Sequence, residues 1–207
     1  MTQVCSIIIV MNKDIIIASK NIGKIKEFKE MLEPLGYTVF SLLDYPEIGE
    51  IEETGKTFIE NAIIKASTVS KKLNMICISD DSGLEISAFD GAPGIYSSRW
   101  LGEYTPYDLK MNYVIYKLEN KEDRRCSYVC AIAVCDKDKV LMTFEEYCEG
   151  IVSRELKGNN GFGYDPFFYY EPYQKTIAEL SSEVKNEISH RGKAIKKLLE
   201  WLENENI

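Results

Sequence analysis

Tyr-Val-Cys-Ala-Ile-Ala-Val-Cys at 128–135 and Val-Leu-Met-Thr-Phe-Glu-Glu-Tyr at 140–147 flank Asp136-Lys137-Asp138-Lys139. Two β-prone runs on either side of a short polar turn predict a hairpin of two long strands. Strands joined in this way run antiparallel. Working outward from the hairpin, strands alternate with helices. Residues 15–18 form a short apolar run of the kind a buried strand shows. Ile25, Phe28, Met31, Leu32 and Leu35 then recur at helical spacing, with Pro34 near the end and Gly36 closing the helix. Residues 38–42 read as a strand. Thr57 can cap a helix whose one face carries Phe58, Ala62, Ile63, Ala66, Val69 and Leu73. Residues 75–78 read as a strand that ends in a polar turn, Ser79-Asp80-Asp81-Ser82-Gly83, followed by an extended stretch at 84–89 and a loop at 90–94. Thr105-Pro106 starts a helix with proline at its first position. Residues 157–165 are glycine-rich, and a last helix carries Ile195, Leu198, Leu199 and Leu202. Alternating strands and helices together with an antiparallel hairpin predict a mixed sheet with helices layered on it, in an α/β or α+β fold.

The chain has 207 residues, enough to bury a core without disulfide or metal staples, and reads as a single domain over 1–207. Residues 1–11 form an N-terminal extension to which the sequence assigns no role. Lys+Arg 25 against Asp+Glu 33 gives a net charge of −8. Such a chain repels a phosphate backbone at long range, so no nucleic-acid partner is expected. No apolar run approaches the ~18 residues of a membrane span, so no membrane partner is expected either. Cys5, Cys77, Cys126, Cys130, Cys135 and Cys148 include no Cys-x-x-Cys pair, and the lone His190 completes no zinc spacing with them. They read as reduced, buried thiols of a cytoplasmic protein.

Five segments carry chemistry. Ser19-Lys20-Asn21-Ile22-Gly23-Lys24 joins a strand to a helix, where free backbone N–H groups and the positive helix end favour phosphate. It is not the Gly-x-x-x-x-Gly-Lys-Ser/Thr loop, since Ser19 is not glycine and Ile25 is neither serine nor threonine. Glu50, Glu52 and Glu53 precede the second helix, where acids commonly serve only the helix dipole. Asp80 and Asp81 follow a strand, at the end where α/β sheets place ligands, and carboxylates there can hold Mg²⁺. Gly158-Asn-Asn-Gly161-Phe162-Gly163-Tyr164-Asp165 lets backbone approach a ligand closely and offers aromatic faces to a flat base. Ser189-His190-Arg191-Gly192 stands just before the last helix. Taken singly, each of these also fits a solvated or capping role.

Together they form an ordered set. Ser-x-Asn-x-x-Lys at 19–24, Glu-Glu-Thr-Gly-x-Thr-Phe-x-Glu-Asn-Ala-x-x-Lys-Ala at 52–66 and Asp-Asp-Ser-Gly-Leu at 80–84 are followed by Gly-Ala-Pro-Gly-Ile-Tyr-Ser-x-Arg at 91–99. Gly-Phe-Gly-Tyr-Asp-Pro-x-Phe at 161–168, Lys-Thr-x-Ala-Glu-Leu at 175–180 and Ser-His-Arg-Gly-x-Ala at 189–194 complete it. In content and order this resembles the inosine/xanthosine triphosphate pyrophosphatase family over nearly the whole chain. Lys20 departs from the family, whose members often carry glycine there.

The resemblance implies an elongated central mixed sheet with flanking helices forming two lobes around a cleft. It implies Mg²⁺-dependent hydrolysis of a purine nucleoside triphosphate (ITP, dITP or XTP) to a monophosphate and pyrophosphate, by a homodimer. Ser19, Lys20, Asn21, Ile22, Gly23 and Lys24, with Lys65, would hold the phosphates. Glu53 and Asp81, with Glu52 contributing, would hold Mg²⁺. Asp81 or Asp80 would be the general base, the resemblance favouring Asp81, in a catalytic set with Lys24 and Lys65. Ser82 would touch substrate. Phe162, flanked by Gly163 and Tyr164, would stack on the purine. Asp165, Lys175, His190 and Arg191 would surround its edge, with Arg99 nearby. Two alternatives stand beside this reading: a Maf-like pyrophosphatase for other modified nucleotides, and a non-enzymatic nucleotide-binding protein. The first expects Ser-x-Arg-Arg near residue 20, and the second has no need of Glu53, Asp80 and Asp81.

Overall fold

The computed structural model describes residues 13–205; the 1–11 extension, with Cys5, lies outside them. Eight strands form one sheet: β1 (Asp14–Ile17), β2 (Thr38–Ser41), β3 (Cys77–Ile86), β4 (Pro93–Gly94), β5 (Arg125–Asp136), β6 (Lys139–Val152), β7 (Phe168–Tyr170) and β8 (Lys175–Thr176). The helices are α1 (Ile22–Leu32), α2 (Phe58–Leu73), α3 (Tyr107–Lys117), α4 (Ser182–Ile188) and α5 (His190–Glu205). The sheet order is β2-β1-β3-β5-β6-β7-β8, with β4 added to β3. β1 is parallel to β2 and β3, and every other pairing is antiparallel, so the sheet is mixed as expected. Among the described residues no helix is long and apolar enough to cross a membrane.

The apolar run at 129–135 is continuous because both faces of β5 are covered. Ile132 and Val134 face α1 and α5, packing with Phe28, Leu32, Ile195 and Leu198. Ala131, Ala133 and Cys135 face α2, where Phe58 meets Ala131 and Ala62 and Ala66 meet the other two. Small residues on both sides let α2 lie close to the sheet. A second large core gathers Leu84, Ile86, Met111, Val114, Tyr128, Phe167 and Phe168 at the other end of the long strands. Two cores at the two ends of β3, β5 and β6 leave a cleft between them.

Register explains where the cleft falls. β1 pairs only with the start of β3, Ile16 with Cys77 and Ile17 with Ile78. β5 pairs with all of β3, from Cys77–Cys135 to Ile86–Cys126. β3 therefore runs on past the end of β1. The loop that leaves β1 lies beside the middle of β3, at Asp80–Ser82.

Several local expectations are corrected. The polar stretch 79–83 is not a turn but the interior of β3, with Asp80 opposite Ile132, Asp81 opposite Ala131 and Ser82 opposite Cys130. Its composition mimics a turn because Asp80, Asp81 and Ser82 are held by charged partners rather than by water. α1 ends at Leu32, and a 3-10 turn at Glu33–Leu35 follows, leaving Leu35 49% exposed and Gly36 in the left-handed conformation at φ 87°. The hairpin turn is tighter than the four residues read from sequence: Asp136 pairs with Lys139, and Lys137 takes φ 54°. Pro106 has ψ 147° and caps α3 from outside rather than starting it. His190–Gly192 form the first turn of α5 instead of preceding it, with the Ser189 hydroxyl accepting from Gly192 N at 3.1 Å.

One buried cation ties the second core together. Arg124 donates to the carbonyls of Val152 at 2.8 Å, Leu118 at 2.6 Å and Ser153 at 2.8 Å, joining the end of α3 to the end of β6. Arg124→Met removes these donors and leaves buried acceptors short of partners, a loss of about 3 kcal/mol. The melting temperature, followed by circular dichroism, is expected to fall by roughly 6–12 °C. A melt within 2 °C of wild type would remove Arg124 from this role.

Candidate active site

Strand geometry separates the two adjacent carboxylates. Successive side chains of β3 point to opposite faces, so Asp80 and Ser82 face α1 and α5, and Asp81 faces α2. Asp81 accepts from Lys65 Nζ at 2.8 Å and from Asn61 Nδ2 at 3.4 Å, both carried by α2. Thr57 and Glu60 cap that helix reciprocally and fix its start. Glu53 meets the same Lys65 Nζ at 2.8 Å through one oxygen and Arg99 at 3.3 Å through the other. Burial raises the Asp81 pKa, outweighing Lys65 and Lys24, while Glu53 adds to the rise. Burial acts the same way on Glu53, but Lys65 and Arg99 win and its pKa falls.

Asp80 is fully buried between Lys24 Nζ at 2.9 Å and Arg191 Nε at 3.0 Å, and Ser82 Oγ donates to it at 3.0 Å. Burial alone would raise its pKa, yet Lys24, Arg191 and Lys65 hold it far below the usual carboxylate range. It is a fixed anion, walled off from the cleft that Asp81 lines, and the expectation that it could serve as general base is corrected accordingly.

The cleft has a volume of about 600 Å³. At one end lie Ser19, Lys20, Asn21 and Lys24. Ser19 Oγ accepts from Asn21 N at 3.1 Å, and Asn21 Oδ1 caps α1 by accepting from Lys24 N at 3.1 Å, which sets the positive end of the helix beside the cleft. Ile22 points to solvent, 75% exposed, and does not line the cleft. Gly23 lies under Phe162, where a Cβ would stand 2.5 Å from the ring, so only glycine allows the loop and the ring to meet.

At the other end lie Phe162, Gly163, Tyr164, Asp165, His190 and Arg191. Lys185 Nζ stands 4.6 Å and Arg191 Cζ 5.6 Å from the Phe162 ring centre. Asp165 accepts from Phe162 N at 2.8 Å, Lys185 at 2.6 Å and the Tyr128 hydroxyl at 3.1 Å. His190 stacks on Tyr128 at 4.7 Å, and burial drives its pKa well down, so the ring is neutral. Arg191 also donates to Glu27 at 2.6 Å and to Ser82 Oγ at 2.7 Å.

The structure departs from the expected set at four further places. Lys175 is exposed on edge strand β8, opposite Tyr170, and does not reach the cleft. Lys185, on α4, stands where a lysine was expected. Arg99 sits with Glu53 at the acidic centre, not at the end that holds Phe162. Glu52 lines the cleft but forms no ion pair among the described residues. Sequence reading missed Lys185, Glu27 and Tyr128. Lys185 precedes His190 by five positions, and its burial on a charged helix such as Ser-Glu-Val-Lys-Asn-Glu-Ile leaves no hydropathy signal. Glu27 had one: an acid on the apolar side of a helix, one turn after Lys24.

Residues 15–201 match the family model described as Ham1 family. A Bacillus licheniformis protein named dITP/XTP pyrophosphatase is 50% identical over 188 residues, 90% of this chain and 96% of that protein. A Bacillus subtilis protein of the same name is 47% identical over 94% of this chain and 99% of its own length. The solved HAM1 protein of Coxiella burnetii superimposes with a TM-score of 0.84 at 39% identity, covering 92% of this chain and 98% of that one. The Staphylococcus aureus Ham1 protein gives 0.83 at 43% identity, covering 93% of this chain and 100% of that one. A match over nearly the full described length, in sequence and in fold, leaves one conclusion: the chain belongs to the Ham1 family.

Proposed function

We propose that this chain is a cytoplasmic pyrophosphatase that cleaves purine nucleoside triphosphates bearing a 6-oxo group (ITP, dITP and XTP) between the α and β phosphates, giving a monophosphate and pyrophosphate. The observation that carries this reading is the order of chemistries along one cleft. Phosphate donors stand at one end, two carboxylates on a shared cation at the centre, and an aromatic face over two cations at the other end. The names of the relatives agree with it.

Ser19, Lys20, Asn21 and Lys24 bind the phosphates from the α1 side, and Lys65 and Arg99 bind them from the centre. Glu53 and Asp81 both reach one cation, Lys65 Nζ, at 2.8 Å, and among the described residues no third acid, histidine or cysteine joins them. Mg²⁺ is commonly held by one or two carboxylates and completed by phosphate oxygens and water, so this pair fits it, with Glu52 within the same wall. Bound there, Mg²⁺ would neutralise phosphate charge and polarise the phosphoryl oxygen. Asp81 takes the proton of the attacking water, since it lines the cleft while Asp80 is buried behind it between Lys24 and Arg191.

The base slides against Phe162. Arg191 and Lys185 can only donate, and a 6-oxo group accepts. The 6-amino group of adenine would set donor against donor and leave buried groups unpaired at about 1–3 kcal/mol each. The active species is a homodimer, supported by the exposed apolar side chains Leu101, Tyr104, Leu109 and Tyr116 on and before α3, of which Tyr104 is 91% exposed.

With ITP and Mg²⁺, chromatography should show IMP and pyrophosphate with no transient IDP; accumulation of IDP would assign a different reaction. Asp81→Asn should cut kcat at least about tenfold, since a positioned base is worth 10²–10⁴-fold. Because Asp81 must be ionised to accept a proton, kcat/KM should fall as pH drops through its raised pKa, and Asp81→Asn should lose that acid limb. An unchanged limb in the variant would remove Asp81 as the base. Wild type should prefer ITP to ATP by roughly 10²-fold, and Arg191→Ala should narrow that ratio. Equal ratios in the two proteins would take Arg191 out of base reading.

A further inference from the structure

The two ends of the cleft are joined behind its wall. Lys24, at the phosphate end, and Arg191, at the end that holds Phe162, are held by the two oxygens of a single carboxylate. Asp80 Oδ1 lies 2.9 Å from Lys24 Nζ, and Oδ2 lies 3.0 Å from Arg191 Nε. The bridge is sealed. Asp80 is 1% exposed, Arg191 2% exposed, and the Lys24 side chain 14% exposed. Ser82 Oγ closes it from the side, donating to Asp80 and accepting from Arg191 Nη2 at 2.7 Å.

Neither cation is used up by the bridge. The ammonium of Lys24 has three donors and meets Asp80 as an ion pair. The guanidinium of Arg191 has five, and Asp80, Glu27 and Ser82 take three. Both side chains line the cleft with donors to spare. A carboxylate is a rigid fork, and in a water-poor interior a displacement of one partner is felt by the other. Arg191 cannot move toward a base without shifting the anion that also aims Lys24. The connection rests on α1 as well, since Glu27, one turn beyond Lys24, grips both Arg191 and Lys185.

We infer that Asp80 is a positioning residue that couples base reading to phosphate placement, so that a correct base at Arg191 sets Lys24 on the phosphates. This rests on the function proposed above. The discrimination it provides appears in kcat as well as in KM, because a wrong base leaves the phosphates misaligned even when the nucleotide is bound.

Two measurements test it. In the first, calorimetry follows binding of tripolyphosphate, supplied with Mg²⁺, with and without saturating inosine, a readout that needs no catalysis. Inosine should tighten tripolyphosphate at least threefold in wild type, and by linkage tripolyphosphate should tighten inosine by the same factor. In Asp80→Asn, which keeps the shape and removes the charge, the factor should fall below three. A wild-type factor below three overturns the inference even if Asp80→Asn does not fold. So does an undiminished factor in a folded Asp80→Asn. In the second, kcat for ITP over kcat for ATP is compared in wild type and Asp80→Asn. The ratio should move toward one in the variant while the corresponding KM ratio persists; a purely structural role for Asp80 would lower both kcat values together and leave their ratio intact. Wild type that fails to hydrolyse ITP sinks the pyrophosphatase reading, and the calorimetric factor still judges the coupling.

Discussion

The arrangement of the site depends on β3 running unbroken through its own most polar stretch. A turn at Ser79–Gly83 would have left both aspartates free to face the same solvent-filled space, where two like charges compete for one cation. A strand cannot do that. Its period of two sends Asp80 to the α1/α5 side and Asp81 to the α2 side. The two carboxylates are then surrounded by different helices and acquire opposite electrostatic characters. One is clamped by Lys24 and Arg191 and kept ionised; the other is desolvated with Lys65 and has its pKa raised. The difference in electrostatic character between the two carboxylates thus comes from backbone geometry, before any detail of the ligand enters.

In and behind the cleft wall, three buried carboxylates, Asp80, Glu27 and Asp165, are matched by Lys24, Arg191 and Lys185. Such a network is a poor source of stability. Taking each ion out of water costs several kcal/mol, and apolar replacements of equal volume are often as stable or better. Its effect is on direction. Donors that would otherwise sweep through many rotamers are held by one or two anions each, and are fixed before any ligand arrives. The cores on either side supply the stability, and the alanines facing α2 supply the closeness that brings Lys65 to Asp81.

Much of this was legible in the sequence. Hydrophobic periodicity located α1, α2 and α5, and the hairpin identified the sheet as mixed. Two differences share one cause. Ser79–Gly83 reads as a turn and Lys185 as a solvated lysine, because buried charges satisfied by other buried charges look from sequence like surface. Composition reports whether a side chain is polar, not whether its partner is water or another residue far along the chain. Asp80 finds Arg191 across 111 positions, and Glu27 finds it across 164. The reverse error fell on Lys175, which sits in a recognisable motif yet faces solvent from an edge strand. The motif Lys-Thr-x-Ala-Glu-Leu is held instead by Thr176, whose hydroxyl donates to the carbonyl of Lys157 and which forms a capping box with Glu179.

An acidic chain that binds a polyanion poses a charge problem, and the cleft resolves only half of it. Lys20, Lys24, Lys65, Arg99, Lys185 and Arg191 line it, but so do Glu50, Glu52, Glu53, Asp81, Glu103 and Asp165. Six cations against six carboxylates, with His190 neutral, leave no net excess to receive a triphosphate. The positive side chains are moreover committed: Lys65 to Asp81 and Glu53, Arg99 to Glu53, Lys185 to Asp165. In water the protein's net charge of −8 would be screened beyond about 8–10 Å, but inside the cleft the charges are closer than that. A triphosphate can enter on favourable terms only if further positive charge enters with it, and the central carboxylates Glu53 and Asp81 are where such charge is best received. The balance of the lining is therefore itself an argument for a ligand that arrives as a metal complex. It also favours a site that answers weakly to phosphate alone, and so leaves the choice of nucleotide to the base end.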